Sequence, residues 1–365
     1  MLETPVKKPV KDLFDDDKKS ALQAISEAQF IAFAPYIFQA SVLLRDKGIL
    51  KNIEDSHPEG TTVEQVSTAV GMNHYGVRIL MEAGLGIGLL YRKDGKYRLT
   101  KTGHFFLNDH MSRVNTDFMR DVCYDGAQDL EASLMQGKPV GLRHLGDWDT
   151  IYQGLSILPE PAKKSWFDFD HYYSDNAFPE ALPIVFEGTP HSLLDIGANT
   201  GKWALACLEY DKNVKIGVVD LGVQLKVAGK NIADAGFTDR VTLYEHNLLD
   251  GSITLPEGYD VMWMSQFLDC FSDEQIIFIL KKCYASLPDH GRVFINETFW
   301  DCQRFEASAM SLQMTSLYFT TMANGNSQMY DSKIFLKLVE SAGFELVRQL
   351  NNVGLGHTIL ELRKK

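Results

Sequence analysis

Three observations predict an α/β chain in which a doubly wound domain follows a mainly helical one. In the C-terminal half, short apolar runs alternate with helical segments; a glycine-rich turn links the first such run to its helix; and the N-terminal third has helical periodicity ending in one short hairpin. Strands alternating with helices imply a parallel sheet covered on both faces, with its ligand site at the carboxyl ends of the strands. The chain has 365 residues, 45% of them hydrophobic and 23% charged, which suits two or three globular domains.

Residues 1–19 are charged and read as a flexible tail, without the apolar core of a signal peptide. Residues 20–108 read as the first domain. From Ala21 to Leu50, Ile25, Ile31, Phe38, Val42 and Leu43 mix helical spacing with near-continuous hydrophobicity, and Pro35 should split the stretch. Such a helix needs cover on more than one side, from its own core or from a second subunit. Next come a short helix from Thr62 closed by Gly71, a helix capped by Asn73, and two strands around Asp94-Gly95. Helix, helix, hairpin is a winged-helix outline. Between Thr61 and Leu90 the only Lys or Arg is Arg78, set against Glu64 and Glu82. A DNA-reading helix needs several basic or amide side chains, so this domain reads as a dimerisation domain that does not bind nucleic acid. The net charge of −12 agrees.

Residues 109–187 read as a helical connecting region whose aromatic run, Trp166-Phe-Asp-Phe-Asp-His-Tyr-Tyr173, would form a substrate wall. Residues 188–365 read as the doubly wound domain, with strands at 192–196, 214–219, 241–244, 259–264 and 291–296 and a final pair at 344–350 and 356–363. Five widely spaced cysteines without a C-x-x-C pair suggest neither disulfides nor a zinc site, and no metal is expected. No apolar run approaches a membrane span, so a cytoplasmic protein without membrane contact is expected.

After the first strand stands Asp195-Ile-Gly-Ala-Asn-Thr-Gly201, leading into a helix. The G-x-x-x-G spacing lacks the central glycine of the dinucleotide fingerprint, and no Walker A motif occurs. The acid before this loop, together with Asp220 at the end of the next strand, resembles the class I S-adenosylmethionine-dependent methyltransferases and their Rossmann-like fold. More narrowly, LLDIGANTG, VVDLG, RVTLYEHNLLD, FLDCFSDEQ, GRVFINE and SAGFELV resemble the small-molecule O-methyltransferases of the plant caffeate and bacterial polyketide type, which carry an N-terminal winged-helix dimerisation domain.

The resemblance implies S-adenosylmethionine as cofactor. Asp195, Gly197 and Gly201 would meet its methionine part, Asp220 and Leu221 the ribose, Asn247 and Leu248 the adenine, with Ser265 and Gln266 alongside. The family's catalytic His falls on Asp269 here, its first flanking acid matches Glu297, and the second falls near Gln328-Met329 and is missing. Three options stay open: Asp269 as a tuned base, His171 as the base, or catalysis by alignment alone. Phe167 and Tyr173 would form one acceptor wall, and Met310, Met314 and Tyr318 the other. The expected function is methylation of a hydroxyl on an aromatic or polyene-like small molecule by a homodimer. N- or C-methylation and a non-catalytic regulator or scaffold are the alternatives.

Overall fold

The computed structural model describes Phe14 and residues 16–365, so most of the expected tail, residues 1–13 and 15, lies outside the described residues. The chain divides into two compact units, one of Asp17–Arg120 and one of Asp121–Lys365 with the stretch up to Asp16.

In the first unit a Ser20–Gln23 capping box starts α1 (Ala21–Ala32), and Phe33 separates it from α2 (Ala34–Asp46), where Pro35 occupies the first turn. The two are bent by 69°, and no single helix among the described residues is long and apolar enough to cross a membrane. After α3 (Ile49–Asp55), Thr62 caps α4 (Val63–Val70) and Asn73 caps α5 (His74–Ile87). Asp94 and Gly95, both at positive φ, turn β1 (Leu90–Lys93) into β2 (Lys96–Leu99). Then follow α6 (Lys101–Asn108) and α7 (His110–Phe118). Leu44, Ile49, Leu50, Ile53, Val66, Val77, Met81 and Leu90 form the core. Helix α1 contributes nothing to it: none of its residues is buried, and Leu22, Ile25 and Ile31 are 60–79% exposed. Of the Ala21–Leu50 stretch, the second half therefore takes cover from the chain's own core, at Val42, Leu44, Ile49 and Leu50, and α1 does not.

The second unit begins with short helices, among them α8 (Leu130–Gln136) and α9 (Ile151–Gly154), then α10 (Ala162–Asp175) and α11 (Phe178–Val185). The seven-stranded sheet follows, in the order β5-β4-β3-β6-β7-β9-β8. Its strands are β3 (Ser192–Ile196), β4 (Lys215–Asp220), β5 (Val241–Glu245), β6 (Val261–Ser265), β7 (Arg292–Glu297), β8 (Phe344–Val353) and β9 (His357–Lys364). Strands β3 to β7 are parallel, whereas β9 runs antiparallel to both β7 and β8. The final pair forms an antiparallel hairpin on the edge of an otherwise parallel sheet, which is therefore mixed. The last two strands are joined by only three residues, too few for the crossover that parallel neighbours require.

Helices α12 (Lys202–Tyr210) and α13 (Gly222–Asp234) pack with α11 on one face, around Trp203, Trp263 and Phe294. On the other face, α14 (Asp273–Ser286) and α16 (Ser332–Ser341) bury Ile276, Leu280, Phe335 and Val339 against Leu194, Met262 and Ile295. Helix α15 (Glu306–Tyr318) lies between β7 and α16 in sequence. Strand order reverses at β3, flanked by β4 and β6. The crevice of a doubly wound sheet opens at that point, outside the carboxyl ends of β3, β4, β6 and β7.

Candidate active site

The loop after β3 is built for close approach. Gly197 sits at φ +76, and a Cβ there would lie 2.2 Å from the Phe267 ring. Gly201 has φ +80 and starts α12 against Ala228, while Asn199, at φ +49, takes the left-handed conformation that asparagine tolerates. The Asn199 N–H donates to Asp220 Oδ2 at 2.7 Å, and the Leu221 N–H donates to Oδ1 at 2.7 Å. Burial nevertheless pushes Asp220 up to about 6. Asp195, only 2% exposed, is pushed up to about 8, by burial first and by Asp220 second, and its Oδ2 has no hydrogen-bond partner. Two destabilised carboxyls flanking an open glycine loop favour a ligand that brings hydroxyl donors and positive charge. A sulfonium nucleoside with a ribose diol and an ammonium meets that requirement.

On the other bank, Ser265 Oγ accepts from Asn296 Nδ2 at 2.9 Å, and Gln266 leaves β6 at φ +46. His357 Nε2 lies 3.2 Å from Gln266 Oε1. Burial pushes His357 down to about 4, so the ring is neutral and its Nε2–H donates to the carboxamide oxygen. Asn247 Oδ1 accepts from the Leu249 N–H at 3.0 Å, and Leu248 is packed in the core.

A 3₁₀ turn at Leu268–Cys270 carries Asp269, which is 5% exposed. Glu297, at the end of β7, shapes that turn: its Oε1 accepts the N–H groups of Phe267 and Leu268 at 3.0 and 2.9 Å. Its Oε2 has no partner, and burial, reinforced by the charge of Asp269, raises its carboxyl far above the usual range. Burial also raises Asp269, to about 7, against the opposing Cys270 thiol at 3.4 Å. Where a second flanking acid would stand, Met329 is buried, and its sulfur accepts from Thr298 at 3.4 Å.

Helix α10 forms the aromatic side. Phe167 and His171 stack with centroids 5.9 Å apart, and Phe169 meets Tyr173 edge-on at 5.2 Å. Burial lowers the His171 pKa, and its Nδ1 is 3.7 Å from Asp170. Tyr318 is buried, its hydroxyl accepting the Trp166 indole N–H at 2.8 Å. Met310 and Met314 are 49% and 46% exposed, which is not the closed apolar wall that their helical spacing predicts. The same α10 reaches the glycine loop: Asn199 Nδ2 donates to Asp170 Oδ2 at 3.1 Å, and Lys202 Nζ is 2.5 Å from Asp175 Oδ2. Asp170, Lys202 and His357 escaped the sequence reading. The only trace of Asp170 and Asp175 is the acidic punctuation of an aromatic helix.

Residues 26–97 match a Dimerisation2-like domain and residues 184–345 an O-methyltransferase domain. L-tyrosine C(3)-methyltransferase of Streptomyces lavendulae is 24% identical over 289 residues, covering 78% of this chain and 78% of that protein. The S-adenosylmethionine-dependent methyltransferase SibL, in its apo form, superposes with a TM-score of 0.72 at 22% identity, covering 93% of this chain and 99% of its own. The O-methyltransferase NcsB1 from neocarzinostatin biosynthesis, solved with S-adenosylmethionine and 2-hydroxy-5-methyl naphthoic acid, has a TM-score of 0.67 at 17% identity, covering 96% and 100%. At these identities the structural likeness is one of fold.

Proposed function

We propose that this chain, a methyltransferase joining a Dimerisation2-like domain to an O-methyltransferase domain, moves a methyl group from S-adenosylmethionine to the hydroxyl of an aromatic small molecule. One observation carries the reading: the Gly197–Gly201 loop and Asp220 stand at the carboxyl ends of β3 and β4, and the buried Asp269 and Glu297 at those of β6 and β7, on the two sides of the point where strand order reverses. When bound, the cofactor supplies a methyl group already activated on a sulfonium, so the protein has only to align the acceptor and manage one proton.

Gly197 and Gly201, whose missing side chains let the loop pack on Phe267 and Ala228, offer their backbone to the methionine part together with Asp195. Asp220 and Leu221 take the ribose, Asn247 and Leu248 flank the adenine, and Ser265 and Gln266 close the opposite side. Phe167, His171 and Tyr173 hold the acceptor ring, with Met310 and Met314 at the open side. Asp269 receives the hydroxyl proton. A phenol titrating near 10 lies about six units above an ordinary carboxylate, roughly 8 kcal/mol; raising Asp269 to about 7 leaves about three units, roughly 4 kcal/mol. As the proton passes to Asp269, the acceptor oxygen bonds the methyl carbon, and the electron pair of the broken C–S bond stays on sulfur. Glu297, through the two N–H groups it accepts, keeps the turn in place.

Transfer to a ring carbon beside the hydroxyl is a second reading, favoured by the likeness to L-tyrosine C(3)-methyltransferase. The same deprotonation serves it, since a phenolate carries negative charge on its ortho carbons and the ring proton leaves afterwards. The N-terminal helices and hairpin serve as a winged-helix dimerisation module, with the apolar face of α1 as a subunit contact. The test is calorimetric titration with S-adenosylhomocysteine, followed by mass and NMR identification of the product from a panel of phenols. Binding and an O-methyl product are expected; a protein that does not bind S-adenosylhomocysteine refutes the reading.

A further inference from the structure

Asn199 stands between two carboxylates. Its backbone N–H is given to Asp220, and its side-chain amide to Asp170 of α10. A ligand whose ribose rests on Asp220 and whose tail crosses the Gly197–Gly201 loop therefore brings its far end to Asp170. The Asp170 side chain keeps 23% of its surface accessible, yet its surroundings push the carboxyl up to about 7. An arriving ammonium would restore its charge and gain a charge-assisted hydrogen bond.

Five residues further along α10, Asp175 holds Lys202, the first residue of α12. Both members of that pair are about 40% exposed, so the pair is weakly held and its lysine can change partner at little cost. The lysine stands at a helix N-terminus, where the helix dipole already favours an anion. Asp170 and Lys202 thus present one negative and one positive group at the end of the loop away from Asp220, the charge pattern complementary to a free α-amino acid.

We propose that Asp170 and Lys202 read the amino-acid end of the cofactor, Asp170 receiving its α-ammonium and Lys202 its α-carboxylate. The inference rests on the cofactor reading above and assigns the selection of an amino-acid-bearing nucleoside to a helix outside the doubly wound domain. Helix α10, which also carries the acceptor wall, would then be fastened to the loop through the ligand.

The experiment is calorimetric titration of the full chain with S-adenosylhomocysteine and with 5′-methylthioadenosine, which shares the thioether nucleoside but lacks the amino-acid end. Asp170→Asn, which keeps an acceptor for Asn199, is expected to weaken S-adenosylhomocysteine about 10- to 100-fold, the range of one hydrogen bond to a charged group, and 5′-methylthioadenosine by no more than about twofold. Lys202→Met should show the same selectivity. Equal loss for both ligands would mean that the variants merely distort the loop, and no loss for either would mean that these side chains do not touch the cofactor; each overturns the proposal. Wild-type protein that binds neither ligand overturns the cofactor reading itself, which keeps the two failures apart.

Discussion

Replacing Asp269 with Asn keeps the shape and removes the proton acceptor, so it isolates the chemistry assigned to this carboxyl. Burial raises the group to about 7, so in wild-type protein it carries its proton at pH 6 and has lost most of it by pH 8. Turnover at saturating cofactor and acceptor should rise across that window with one ionisation and then level off. Asp170 titrates in the same range in the free protein, but its effect belongs to cofactor binding and should appear in kcat/KM for the cofactor. General-base assistance of this kind is worth about 100- to 10,000-fold, so Asp269→Asn should lower kcat by about that much, or roughly 3–5 kcal/mol, and flatten the rise between pH 6 and 8. Affinity for S-adenosylhomocysteine should stay within about twofold. The assay is steady-state methyl transfer over pH 5.5–9 with a phenol of known pKa, beside calorimetric titration of the cofactor product. A variant that keeps wild-type kcat and the same pH limb would refute the role, leaving alignment alone or His171.

Three further outcomes follow from the geometry. Gly197→Ala puts a methyl group 2.2 Å from the Phe267 ring at a φ of +76, so it should lower stability by about 2–5 kcal/mol in urea unfolding and abolish S-adenosylhomocysteine binding; an unchanged midpoint would contradict the close packing. Asp195 is pushed up to about 8 in the folded chain and sits near 4 unfolded, so its contribution to stability is complete below pH 4 and is lost as pH rises towards 8. Asp195→Asn escapes that loss, and its urea midpoint should gain on wild type between pH 5 and pH 8; parallel pH profiles would show that the burial penalty is not real. Trp166→Phe leaves the buried Tyr318 hydroxyl without its donor and should cost about 1–3 kcal/mol, much of it recovered in the double variant with Tyr318→Phe; additive losses would rule out the coupling.

Most of the second unit was legible because its strands are short apolar runs bounded by caps and glycines. Ser192–Ile196 lies where the pattern put it, and the other strands differ by one to three residues at their ends. The loop was legible for a local reason: a strand, two glycines and a following helix are contiguous. The exposure of Met310 and Met314 was not legible, since helical spacing shows that residues share a face and not what covers it. Asp170 meets Asn199 across 29 residues, and His357 meets Gln266 across 91. Such contacts leave no periodic trace, because each is a single polar side chain placed by tertiary packing.

Helix α1 has 12 residues and buries none of them within its own chain. A helix of that length is marginal in water, and most helical stability comes from packing an apolar face. If the proposed subunit contact forms, with a second copy covering Leu22, Ile25 and Ile31, forming the helix and forming the assembly become one equilibrium, and the apparent melting temperature climbs with protein concentration. Dilution would fray α1 while the cores of the two units, closed within single chains, stay folded.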